Sequence, residues 1–63
     1  MYRVNIQFEH GGSYAMFGVS ETGIDDLLKV KNVGGIFVAQ GPNGKRTVLD
    51  TSYAMLIEIT PEG

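Results

Sequence analysis

From Tyr2 to Glu9 the chain alternates without a break: Tyr2, Val4, Ile6 and Phe8 are apolar, and Arg3, Asn5, Gln7 and Glu9 between them are polar. Successive side chains of a strand point to opposite faces, so this period of two specifies a strand with one buried and one wet face. Such a strand is not stable alone, because its backbone and its apolar face both need neighbours. The rest of the chain must supply a sheet and a cover.

His10-Gly11-Gly12-Ser13 follows, and Gly-Gly permits the positive φ angles of a two-residue hairpin loop. The second strand is then Tyr14 to Val19. That loop pairs Phe8 with Ala15, Ile6 with Phe17 and Val4 with Val19 on one face, leaving Tyr14 and Met16 on the other with Arg3, Gln7 and Glu9. Ser20 and Thr22 are both suited to cap a helix from about Gly23 to Lys31. Ile24, Leu27 and Leu28 make its apolar stripe, Asp25 and Asp26 lie in its first turn, and Lys29 and Lys31 in its last, as the helix dipole favours. Asn32 is read as the stop. A helix this short must dock on the sheet to persist.

Gly34-Gly35 leads into a third strand, Ile36 to Gln40, and Gly41-Pro42-Asn43-Gly44 is a strong turn signal. Lys45 to Leu49 returns as a fourth strand. Asp50-Thr51-Ser52 predicts a turn or a single helical turn, because these side chains bond their own backbone. Met55 to Thr60 is the fifth strand, with Met55, Ile57 and Ile59 on one face. The resulting order, β-β-α-β-β-β, implies a single α+β domain over residues 1–63: a small antiparallel five-stranded sheet with one short helix packed on one face. The alternative is a small SH3-like or Sm-like barrel, whose short helical turn before the last strand the Asp50–Tyr53 segment resembles.

Length and residue content narrow the function. A domain of 63 residues buries only about 60% of the surface of its unfolded chain. Small domains often compensate with disulfides, a metal or a partner. Here there is no cysteine and only one histidine, His10, so disulfides and Cys/His zinc sites are excluded. Association is the remaining supplement, and no cofactor is expected. The net charge of −2, with Lys45-Arg46 the longest basic cluster, disfavours nucleic acid as a partner. The N-terminus lacks the charged and apolar regions of a signal peptide, and no stretch has the length of a membrane span. A cytoplasmic protein is expected.

The strands carry more apolar side chains than one short helix can cover. Ile36, Phe37, Val38 and Ala39 are consecutive, as are Val48 and Leu49. Tyr14, Met16, Ile36, Val38, Leu49 and Leu56 are therefore the candidate interface, with Phe37, Ala39 and Val48 as the alternative to Ile36, Val38 and Leu49, against a second copy of the chain or a larger protein. A curled sheet that buries both faces itself is the structural alternative.

Groups that could carry chemistry each have a simpler reading. His10 sits at a turn without an orienting partner, Asp25 and Asp26 suit a helix start, and Asp50 suits a cap. Neither glycine-rich turn opens a helix or carries the Lys-Ser/Thr ending of a P-loop. Arg3, Lys45 and Arg46, with Tyr53 as a stacking surface, form an alternative site for a nucleotide or a single strand. No catalytic constellation emerges, so the reading is a small non-enzymatic interaction module that forms oligomers. In size and style it resembles the accessory proteins of bacteria and phages that bind a host enzyme.

Overall fold

The computed structural model describes residues 1–62. Its strands are β1 (Tyr2–Phe8), β2 (Ser13–Val19), β3 (Ile36–Gln40), β4 (Arg46–Asp50) and β5 (Ala54–Pro61), with α1 (Glu21–Val33) between β2 and β3. Short 3-10 turns occupy Pro42–Gly44 and Thr51–Tyr53. The expected α+β architecture is present, with five antiparallel strands, one helix and no closed barrel. The strands divide between a three-stranded sheet, order β2-β1-β5, and the β3-β4 hairpin. The turn that resembles the SH3-like barrels does lie between β4 and β5, but β2 and β3 share no ladder, so the barrel does not close.

The first hairpin departs from its expected register. Gly11 N–H donates to the Phe8 carbonyl (3.0 Å) and Phe8 N–H to the Gly12 carbonyl (2.9 Å), enclosing a three-residue loop of Glu9, His10 and Gly11. Gly11 has φ +96°, the positive-φ residue that such a loop requires at its third position. Ile6 consequently pairs with Tyr14, three residues from the expected Phe17, and an odd shift inverts the faces. Tyr14 and Met16 pack on the core, while Phe17 is 68% exposed. A bulge near Gly18 (φ +64°) then brings Val19 opposite Tyr2 and back against the core.

The helix is longer than expected at both ends. Ser20 is its N-cap, its Oγ accepting from Gly23 N–H at 3.1 Å. Asn32 does not stop it. Gly34, in the left-handed region at φ +69°, donates to the Lys31 carbonyl and Gly35 to that of Val30, a Schellman closure that a side chain at Gly34 would strain. Tyr2 Oη donates to Glu21 Oε1 at 2.6 Å, linking the start of β1 to the first turn of α1. This hydrogen bond, then the Glu21 charge and slight desolvation, holds the Tyr2 phenol above its ordinary value.

Val4, Ile6, Leu27, Ala39, Leu49 and Ala54 form the buried core, drawn from both sheets and the helix. The inward helix stripe is Ile24, Leu27 and Val30, and Leu28 is exposed instead. In β5 a register shift opposite Gln7 and Phe8 turns Met55 out to 66% exposure and sets Ala54 inward against Phe8. Thr51 is the buried polar residue: its N–H (3.0 Å) and Oγ1 (2.6 Å) both donate to the Gly35 carbonyl. This contact joins the last 3-10 turn to the end of α1 and extends the β3-β4 ladder by one pair.

Candidate functional site

The expected interface residues fall in four places. Ile36 and Val38 lie on the outer face of the β3-β4 hairpin, 55% and 45% exposed. Leu49, grouped with them from sequence, faces inward, because the ladder pairs it with Phe37 on the core side. Val48, directly opposite Val38 and 64% exposed, takes its place. Leu56 lies elsewhere, opposite Gln7 on the polar outer face of the three-stranded sheet. Tyr14 and Met16 are half-buried on the core face of β2 rather than on its outer face.

Those two residues line a groove of about 570 Å³ between β2 and β3. Its walls are the two strands themselves, with Val19, Ser20 and Gly23 at one end and Gly41 and Pro42 at the other. No charged side chain lines it. Both walls are sheet edges, since β2 pairs only with β1 and β3 only with β4.

The direction of the backbone groups follows from the ladders, because in an antiparallel pair hydrogen-bonded and non-bonded positions alternate. The Phe8–Gly12 bond sets the phase for β2, so Tyr14 and Met16 spend their N–H and C=O on β1 while those of Ala15 point away from it. The Gly41–Lys45 bond (2.7 Å) and the Thr51–Gly35 bond set the phase for β3. Those of Val38 and Gln40 therefore point away from β4.

The alternative ligand residues are not brought together. Arg3 is opposite Thr60 on the three-stranded sheet. Lys45 and Arg46 stand at the tip of the β3-β4 hairpin, and Tyr53 follows its other end, beyond the Arg46–Asp50 strand of about 13 Å. Tyr53 instead lines a shallow hollow with Glu9 and His10, its carbonyl accepting from Glu9 N–H at 2.9 Å. The His10 ring stacks edge-on against Phe8, centroids 5.6 Å apart. Asp50 Oδ1 accepts from Ser52 N–H (3.1 Å) and Ser52 Oγ (2.6 Å), the capping role its position suggested. Among the described residues, no group of three or more His, Cys, Asp and Glu is placed to hold a metal, and no helix is long and apolar enough to cross a membrane.

From sequence, Val48 stands in the alternative set with Phe37 and Ala39 rather than with Ile36 and Val38, and the burial of Thr51 is not foreseen. The first was legible only once the hairpin register was known. For the second, a threonine straight after a capping aspartate was a local clue, but its burial depends on the distant Gly35. The molecule thus defines a class: a small α+β domain with two open-edged antiparallel sheets. Compared with protein-family models, curated proteins and solved structures, the chain matches none.

Proposed function

We propose that the protein is a small non-enzymatic interaction module of the cytoplasm, which associates with a second copy of itself and presents the same surface to a larger protein. The observation that carries this reading is the outer face of the β3-β4 hairpin. Val38 and Val48 are direct cross-strand neighbours there, Ile36 lies two residues along, and all three keep about half or more of their surface in water. Fully burying a valine-sized side chain is worth roughly 1.5–3 kcal/mol. A two-fold contact repeats each of these side chains on both partners, so the combined gain can offset part of the cost of association.

Sedimentation equilibrium over a concentration series tests this. The expected result is a reversible dimer that Val48→Lys converts to a monomer with an unchanged circular dichroism spectrum. A wild-type chain that stays monomeric at every concentration overturns the self-association.

A further inference from the structure

The groove between β2 and β3 has walls of an unusual kind. A free strand edge invites pairing with any other strand, and proteins ordinarily blunt it with charges, prolines or bulges. Here β4 carries Arg46 and Asp50, and β5 carries Glu58 and Pro61. The sequences of β2 (SYAMFGV) and β3 (IFVAQ) contain no charged residue and no proline. These two edges line one groove; β2 is bulged only at its Gly18 end, where Gly18 N–H donates to Glu62 Oε1 at 2.8 Å, and along the rest Ala15 presents its N–H and C=O from one wall and Val38 and Gln40 theirs from the other.

We infer that this groove takes up one extended, uncharged peptide segment of a partner protein, which hydrogen-bonds to both edges at once and joins the two sheets into one. Three observations select that occupant. The lining is uncharged while the chain as a whole carries a net −2, so a neutral segment matches it and a charged one must be desolvated against no partner. The free groups on both walls belong to backbone, and an extended backbone is the ligand that offers donors and acceptors on both sides at strand spacing. A folded second copy cannot supply it: each of the five strands already gives one edge to a neighbour, and a segment seated here needs both edges free.

The length of β3, five residues, sets the segment at about five residues, and 570 Å³ lies within the usual volume of a ligand site. Side chains pointing inward would meet Tyr14, Met16 and Phe37, so apolar residues at alternate positions are favoured. The inference deepens the interaction reading; the groove uses the backbone edge of Val38, whereas Ile36 and Val48 of the hairpin face lie off it.

The test uses the full chain, labelled with nitrogen-15, and an acetylated, amidated peptide of alternating Thr and Val, seven residues long. Two analogues carry N-methyl groups on the odd or the even amides, so that each removes the donors facing one wall. The expected result is that amide resonances of both β2 and β3 shift on titration and that both analogues bind about tenfold more weakly, the equivalent of one or two net hydrogen bonds. Ala15→Pro, which removes a groove-facing N–H and leaves the β1 ladder its donors, weakens the parent peptide to a similar extent. If that variant does not fold, the analogues decide alone.

An analogue that binds as well as its parent shows that one wall is unused and overturns the insertion. So does the absence of any shift in either strand. Val48→Lys separates this inference from the proposed function: it lies off the groove, so it removes self-association and leaves peptide binding intact.

Discussion

The outer edges of the molecule, β4 and β5, and the inner pair, β2 and β3, are built from the same kind of strand and finished differently. Charges and a proline guard the outer pair, whereas the inner pair carries neither and faces a common groove. A free edge is tolerated in solution when pairing with it costs something. The contrast teaches that charge and proline sit on the edges that face outward, where another copy could add a strand, and are absent from the edges that share the groove.

The contrast presumes that both sheets stand on one core, and the largest expected effect tests that. Leu27 is fully buried between them, so Leu27→Ala should cost about 2–5 kcal/mol. In a domain this small that consumes most of the stability, and chemical denaturation should show both sheets melting together. Separate transitions for the three-stranded sheet and the hairpin would break the comparison at its base.

Thr51→Val comes next. It removes the Oγ1 bond to the Gly35 carbonyl, which keeps the Thr51 N–H, so a loss of about 1 kcal/mol is expected. The denaturation midpoint should fall with an unchanged slope. Gly34→Ala should cost a comparable amount, about 1 kcal/mol, because φ +69° favours glycine.

Exchanging the guards should leave stability within about 0.5 kcal/mol, as for most surface substitutions. Glu58→Val strips the β5 edge and should raise light scattering at high concentration. Ala15→Lys guards the β2 edge and should weaken peptide uptake. If Glu58→Val has no effect on scattering, the outer charges are not guards.

The smallest effect concerns Tyr2. Its phenol titrates above the usual value of about 10, chiefly through the hydrogen bond to Glu21. The raised value means that the neutral phenol favours the folded state. The contribution is complete below the ordinary tyrosine range and is lost as pH rises through the folded value. Glu21→Gln should move the Tyr2 titration, followed by its ring resonances, back toward that range.

Much of the element order could be read directly. The alternation from Tyr2 to Glu9 marks β1, the turn at Gly41–Gly44 separates β3 from β4, and Asp50 announces the 3-10 turn. The site was less legible. In β2, Tyr14, Ala15, Met16 and Phe17 offer an apolar residue at every position, so either register buries something acceptable. Gly11-Gly12 suits a two-residue loop as well as the three-residue loop actually formed. The same ambiguity at Val48 and Leu49 placed the wrong one of the pair on the outer hairpin face. Nothing local distinguished those choices, because both faces of these strands are affordable in burial terms until the neighbours are known.

By itself, then, the sequence determined where strands and helix lie, since side-chain period and turn chemistry act over a few residues. Only the tertiary structure decided which edges meet and which stay apart. That outcome depends on ladder phase, and phase is fixed by distant partners: Gly12 for Phe8, Gly35 for Thr51, and a core filled jointly by β1, α1 and the hairpin.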